Sequence, residues 1–282
     1  MGWLEALVLG IVQGLTEFLP ISSSAHQSIV GQFFGGEDVG AAFTAITQLG
    51  TEAAVILFFR RDIWLIIKNW SLALVGRIPR DDFEARMGWL VIIGSIPIVV
   101  LGVLFQDAID HVLRNLWITA AMLAGFGLII GVVDRLARNV RPLESLTWKH
   151  GILYGLAQSL ALIPGVSRSG ATIAAGLAMG YQRVAAAKYS FLLAIPAVVG
   201  SGFFKLADIA DDPVEPAWGP IVLATIVSFL VGYAVIAWLL RYVATHNFLP
   251  FVIYRIALAV LLAVLLTTGV LEPLPQGMTS SG

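Results

Sequence analysis

The sequence predicts an all-α polytopic membrane protein made of two inverted-topology repeats, each a re-entrant helix pair followed by three transmembrane helices. Three observations predict it. Of 282 residues, 58% are hydrophobic and 12% charged, against roughly 25% charged in an ordinary soluble domain, so a water-soluble fold has no means of covering this much apolar surface. The apolar residues form six runs, near 43–59, 87–104, 116–133, 189–204, 219–240 and 250–270, and crossing the hydrocarbon core takes about 20 residues of helix. Two further apolar segments, 4–34 and 150–180, are broken near the middle by proline, glycine and serines, as FLPISSSAH and LIPGVSRSG.

In the first segment Gln13 and Glu17 lie four residues apart and so share a helix face. Pro20 ends or bends that helix, and Ser22, Ser23 and Ser24 are candidate N-caps for the next one, with His26 on its first turn. Neither half comfortably reaches spanning length, and broken segments persist in a membrane only where protein or a polar cavity satisfies the freed backbone groups. Segment 4–34 therefore reads as a re-entrant pair; the competing reading is two full spans joined by a short loop. The first full span, 43–59, carries Glu52 four residues after Gln48. Loop 60–86 holds six basic residues (Arg60, Arg61, Lys68, Arg77, Arg80 and Arg86), and loop 134–149 holds four (Arg135, Arg138, Arg141 and Lys149). The alternating loops are poor in positive charge, with Arg114 in 105–115 and Lys205 among Asp208, Asp211, Asp212 and Glu215 in 205–219. Basic loops face the cytoplasm. In the second broken segment PGVSRSGAT reads as a Pro–Gly turn followed by a helix starting near Ser169, and the final span contains Arg255, read as structural and as a neutraliser of a buried acid. Trp64, Trp70 and Trp148 lie near span ends and read as interfacial anchors.

The two broken segments are related. At one gapless offset of 145 residues Gly10 matches Gly155, Gln13 matches Gln158, Leu15 matches Leu160, Ser22 matches Ser167 and Ser24 matches Ser169. The same offset aligns Phe58, Phe59 and Arg60 with Phe203, Phe204 and Lys205. This predicts a first repeat over 1–140, a second over 141–272 and a flexible tail over 273–282. Three full crossings per unit, an odd number, invert the second unit relative to the first, and the tips of the two broken segments then meet near the midplane.

An intramembrane carboxylate is costly and reads as functional by default, which singles out Glu17. Glu52 divides evenly between a structural role and lining the same cavity. Arg168 at a helix start adds a planar fork of donors to the positive end of the helix dipole, a combination suited to phosphate oxygens. Ser167, Ser169 and Thr172 are further donors to the same anion, although capping explains any of them equally well. Meeting tips bring together Glu17, Ser23, His26 and Arg168: an acid or base, a nucleophile, a proton carrier and an anion clamp. That set suits phosphoryl transfer, which rests on positioning and on charge stabilisation at the phosphate oxygens. Ser23 is the favoured nucleophile, with a phosphohistidine at His26 or water activated by Glu17 as alternatives. The rival class is an ion-coupled secondary transporter or lipid-phosphate flippase, which shares the architecture of inverted repeats with broken helices but has no need of a hydroxyl, histidine and carboxylate facing an arginine.

With no cysteine, disulfides, thiolate metal sites and cysteine nucleophiles are excluded. A net charge of −1 gives no footprint for a nucleic-acid partner, and Gln13 and Glu17 within the first apolar stretch argue against a cleaved signal peptide.

QGLTEFLPISSSAH and PGVSRSGAT, with QLGTEAAV in the first span, resemble the signatures of the undecaprenyl-diphosphate phosphatases, the bacitracin-resistance family, over nearly the whole chain. The resemblance implies hydrolysis of a C55 polyprenyl diphosphate to the monophosphate, recycling the lipid carrier of bacterial cell-wall synthesis, with Mg²⁺ or Ca²⁺ as divalent cofactor. It also implies a multi-pass protein of the bacterial plasma membrane, in contact with membrane lipids; a homodimer is compatible with it. The charge pattern, which puts segment 4–34 on the outer side, favours a site open to the extracytoplasmic side. Carried over residue by residue, the resemblance supports Gln13, Glu17, Ser23 and His26 in the first motif and Ser167, Arg168 and Thr172 in the second. Together with the reading of the residues above, Glu17, Ser23, His26 and Arg168 stand as catalytic, Glu17 as the candidate metal ligand, and Gln13, Ser22, Ser24, Ser167, Ser169 and Thr172 as substrate-binding. Two positions depart from the pattern: Ala25 stands where the family usually has glycine, which would reshape the phosphate pocket if the backbone must approach closely there, and Gln13 is neutral where the family's first position is acidic.

Overall fold

A computed structural model describes residues 2–34, 41–106, 108–210 and 217–274. Within these the chain is helical, in the order α1 (Trp3–Thr16), α2 (Ser23–Phe33), α3 (Ala41–Phe58), α4 (Arg60–Leu74), α5 (Phe83–Leu104), α6 (Leu116–Leu136), α7 (Trp148–Ser159), α8 (Arg168–Ala178), α9 (Arg183–Ala210), α10 (Trp218–Val243) and α11 (Leu249–Thr267). Of the expected tail only Pro273 and Leu274 are described, and the acidic positions 211–216 lie outside the described residues.

Five helices, α5, α6, α9, α10 and α11, are long and apolar enough to cross a membrane. The sixth expected run is α3, whose apolar part, Phe43–Phe58, is shorter. Both broken segments are pairs of short helices, of 14 and 11 residues in α1 and α2 and of 12 and 11 in α7 and α8. At 1.5 Å per residue the longest spans only about 21 Å, less than the roughly 30 Å of a hydrocarbon core. The first half of the expected basic loop 60–86 is instead helix α4. Its sequence alternates Arg60, Arg61 and Lys68 with Trp64, Leu65 and Ile67 at helical spacing, and that periodicity, not the count of charges, governs its conformation. Trp64 and Trp148 are exposed, as interfacial anchors should be, whereas Trp70 packs edge-on against Trp89 at 5.5 Å and closes over Gly88.

Corresponding helices pack in corresponding ways. Along α1, Gly10 lies so close to α10 that an added Cβ would stand 2.7 Å from the Ala224 carbonyl oxygen, and along α7 its counterpart Gly155 meets the backbone of Gly94 in α5. Only glycine permits either approach. The ends of the molecule differ in composition. At one end the two basic regions are tied together, Arg86 donating to the Glu144 carbonyl oxygen at 3.0 Å and Lys188 to Asp62 at 2.6 Å. The start of α7 and the end of α8 are joined at that end through Arg141, which approaches His150 at 3.4 Å and whose N–H donates to the Gly180 carbonyl oxygen. At the other end Trp3 of α1 packs against Gly219, and Gln32 of α2 exchanges hydrogen bonds with Glu272. Each helix pair thus starts and finishes at a single end, and the two pairs use opposite ends.

Their bends meet in the interior around Arg255, which has no exposed surface. Its guanidinium donates to the carbonyl oxygens of Pro20 in the first bend (3.1 Å), Gly165 in the second (2.7 Å), and Leu123 and Met122 of α6 (3.1 and 3.2 Å). Arg255 is structural, as expected, but its partners are four carbonyls and not a buried acid. Replacing it by leucine leaves those acceptors unpaired at about 1–3 kcal/mol each; partial relaxation brings the expected loss to roughly 3 kcal/mol or more. A thermal melt in detergent should show Arg255→Leu unfolding well below the wild type.

Candidate active site

The two bends have the same local geometry. Ser22 and Ser167 both have positive φ, 75° and 72°, a region rarely used by non-glycine residues and found disproportionately at functional sites. Each is the N-cap of the helix that follows, accepting from the N–H three residues on, Ala25 and Gly170 respectively. The Ser22 hydroxyl pairs with that of Ser24 at 3.1 Å and the Ser167 hydroxyl with that of Ser169 at 3.2 Å. The first helix of each pair also ends before its proline, α1 at Thr16 and α7 at Ser159, so Pro20 and Pro164 lie within the bends rather than at the helix ends.

Glu17 joins the two bends. Its Oε2 accepts from Gln13 Nε2 (2.8 Å) and Ser23 Oγ (2.7 Å), and its Oε1 accepts from Arg168 Nη2 (2.7 Å). Both oxygens of this buried carboxylate therefore carry donors, one of them a guanidinium. Ser169 crosses the same seam, donating to the Leu19 carbonyl oxygen at 3.1 Å. Ser23, Ser24 and Arg168 are partly exposed while Gln13, Glu17, Ser22, Ser167 and Ser169 are buried, so the face open to a ligand consists of two hydroxyls and a guanidinium.

Other predicted residues take different places. His26 bonds through Nδ1 to the Ser22 carbonyl oxygen and through Nε2 to the Tyr254 hydroxyl, both at 2.7 Å. The carbonyl requires a proton on Nδ1, so in the neutral ring Nε2 accepts from Tyr254. Neither nitrogen bonds Ser23. Thr172 is fully buried, its hydroxyl within reach of the Arg168 carbonyl oxygen (2.7 Å) and the Ser190 hydroxyl (2.6 Å). The Ala25 methyl packs with Ile29, Leu116, Ala120 and Leu123, in apolar contacts rather than against Glu17. Sequence reasoning missed Tyr254, Ser190 and Gln27, which donates to the Gln13 side-chain oxygen at 3.2 Å. A polar residue directly after His26 was a signal for Gln27; nothing in the sequence distinguished Tyr254. Among the described residues no three His, Asp or Glu side chains gather into a metal cage.

The chain matches the family model described as bacitracin resistance protein BacA over residues 6–261. It is 60% identical to an undecaprenyl-diphosphatase of Micrococcus luteus, an alignment covering 96% of this chain and all of that protein. It is 59% identical to one of Kineococcus radiotolerans, covering all of this chain and 99% of the other, and 54% identical to undecaprenyl-diphosphatase 2 of Streptomyces coelicolor, covering 97% and 98%.

Removing a serine cap from a helix start typically costs about 1 kcal/mol, and alanine retains the unfavourable positive φ. Ser22→Ala and Ser167→Ala should therefore each melt below the wild type in detergent, with Ser24→Ala, which lacks a capping role, closer to it.

Proposed function

The chain belongs to the bacitracin resistance protein BacA family, and from that membership we propose that it is an integral membrane undecaprenyl-diphosphatase, releasing inorganic phosphate from the lipid diphosphate and returning the monophosphate carrier. The observation that carries a mechanism is the pair of contacts on one carboxylate: Ser23 Oγ on Glu17 Oε2 and Arg168 Nη2 on Oε1, both at 2.7 Å.

Ser23 is the nucleophile and Glu17 the general base. As Ser23 Oγ attacks the terminal phosphorus its proton passes to Glu17, with which it already shares a hydrogen bond of the length such transfer requires. The P–O bond to the lipid monophosphate breaks, the bridging oxygen leaves with its electron pair, and a phosphoserine remains. Water then attacks the same phosphorus, Glu17 relays the proton, and Ser23 Oγ departs with a proton restored. Arg168 and the N-terminal ends of α2 and α8 face the negative charge that builds on the phosphoryl oxygens. Ser24, Ser167 and Ser169 shape the anion pocket through the capping network. His26, held between Ser22 and Tyr254, orients the start of α2 instead of relaying the Ser23 proton.

Mg²⁺ or Ca²⁺ would neutralise diphosphate charge. Glu17 does not offer it a ready seat, because both carboxylate oxygens already carry donors; the ion would arrive on the phosphate oxygens, and no step above depends on it.

The two-repeat division at residues 140 and 141 is supported by the matched bends at Ser22 and Ser167, the matched glycine contacts at Gly10 and Gly155, and helix pairs that use opposite ends of the molecule. With the basic end on the cytoplasmic side of a bacterial plasma membrane, the α1–α2 pair enters from outside, and the lipid headgroup reaches Ser23 from the extracytoplasmic side.

The deciding measurement is phosphate release from undecaprenyl diphosphate by purified protein. Arg168→Ala and Glu17→Gln should each lower kcat by about a hundredfold or more, and Ser23→Ala should leave no phosphoenzyme to trap. Gln13→Ala, which removes one of three donors to Glu17, should cost less than about tenfold. Wild-type turnover in Ser23→Ala would transfer the nucleophile to water or His26; folded protein releasing no phosphate at all would favour transport over hydrolysis.

A further inference from the structure

Glu52, midway along α3, has no part in the mechanism above, yet it faces the same guanidinium. It is 1% exposed, and neither of its carboxylate oxygens has a hydrogen-bond partner. Arg168 Nη2 stands 4.0 Å from Glu52 Oε2 while bonded to Glu17 at 2.7 Å, and Arg168 Nη1 is itself buried without a partner. The polar neighbours along α3 are engaged elsewhere: Thr47 and Thr51 bond carbonyl oxygens of their own helix, and Ser228 of α10 bonds the Thr47 carbonyl oxygen. A buried carboxylate with both oxygens bare, beside a buried guanidinium edge with nothing to donate to, is costly on both sides. Both deficits belong to one ion pair, since Arg168 Nη2, the nitrogen bonded to Glu17, is also the one 4.0 Å from Glu52 Oε2.

The mechanism supplies an occasion for the guanidinium to shift. While Arg168 rests on Glu17, its guanidinium is bonded to the very carboxylate that is to take the Ser23 proton. For Glu17 to take the Ser23 proton the guanidinium must release it without leaving the site, since the phosphoryl oxygens need it at the same moment. A guanidinium presents its donors along more than one edge, so one edge can face Glu52 while another faces phosphate.

We propose that Glu52 is a positioning residue, the second seat of Arg168: as the diphosphate enters, the guanidinium passes from Glu17 to Glu52 and the phosphate, freeing Glu17 to act as the base. This rests on the reading of Glu17 and Arg168 given above. No bond other than hydrogen bonds is made or broken in the shift. Glu17 goes on to the neutral form after accepting the proton, and the Arg168–Glu52 pair stays charge-balanced next to the phosphate.

The test compares wild type, Glu52→Gln and Glu52→Asp, purified in detergent, by phosphate release from undecaprenyl diphosphate and by thermal melting. The expected result is a kcat about ten- to a hundredfold lower in Glu52→Gln with KM within about threefold, partial recovery of kcat in Glu52→Asp, and a melting temperature for Glu52→Gln at or above the wild type, because a bare buried charge has been removed. Wild-type kcat in Glu52→Gln overturns the proposal. So do equal losses in Gln and Asp accompanied by lower melting temperatures, which mark a packing role, and so does a loss in Glu52→Gln that raised Mg²⁺ restores, which assigns Glu52 to a cation. The underlying reading fails separately, through a wild type that releases no phosphate or a Glu17→Gln that retains full turnover, whatever Glu52 variants do.

Discussion

Two helices broken inside a membrane set the constraint from which the rest of this structure follows. Every carbonyl that a broken helix leaves open must find a donor within the protein, because lipid offers none. Arg255 meets much of that demand at one point, donating to Pro20, Gly165 and two carbonyls of α6. A lysine has no comparable planar fork, and a neutral amide has too few donors to serve four acceptors. Because Pro20 and Gly165 belong to different helix pairs, satisfying their carbonyls also fixes the pairs relative to each other. Ser169, bonded to Leu19, reinforces the same seam. The contact between Glu17 and Arg168 is then made between groups whose backbones are already held.

Much of this was legible in the sequence, and for identifiable reasons. Hydropathy located the long helices because spanning length and burial leave little latitude in residue choice. Pro20, Pro164 and the serines after them marked the bends because few residues stop a helix and restart it within so short a distance. Glu17 and Arg168 stood out as charges in apolar segments. The failures are equally physical. The helix α4 was hidden behind its charge count, since Arg60, Arg61 and Lys68 draw attention from an apolar stripe at helical spacing. Helices α1 and α7 stop ahead of their prolines, because the chain turns before the proline as well as after it, residues 17–21 as turn and Leu160–Leu162 as a single 3-10 turn. Thr172 and Ser190, and likewise His26 and Tyr254, bond between separate helices, and no spacing within one helix reports a partner on another.

The residue at position 23 and the residue at position 168 occupy equivalent places, each the first residue of a helix whose N-cap serine has positive φ. One is a serine and the other an arginine. Both reach the same carboxylate, at 2.7 Å, from opposite sides of the seam. Two bends of like geometry therefore deliver unlike chemistry to one point, a hydroxyl from one and a permanent cation from the other. Had the equivalence been complete, two serines would leave Glu17 as a buried anion with no cation, and two arginines would leave nothing to attack phosphorus. The like geometry of the two bends brings the helix starts together, and the proposed chemistry depends on their side chains differing at that single pair of positions.

This asymmetry also bears on why the proposed mechanism gives the proton to Glu17 and not to His26. Glu17 lies on the seam, where both bends contribute a donor. His26 lies one turn into α2, on the side facing α11, and both of its ring nitrogens are committed to Ser22 and Tyr254. To serve Ser23 it would have to break the bond to Tyr254 and turn its ring away from the stacked Tyr254 ring, whose centroid is 5.6 Å away at an interplanar angle of 5°. Glu17 needs no such rearrangement. In the proposed mechanism what it must shed is Arg168, whose Nη2 already stands 4.0 Å from Glu52 Oε2, a carboxylate with no hydrogen bond of its own. Activating the base then amounts, in the proposed mechanism, to moving one cation between two acids, a displacement that an incoming phosphate would favour.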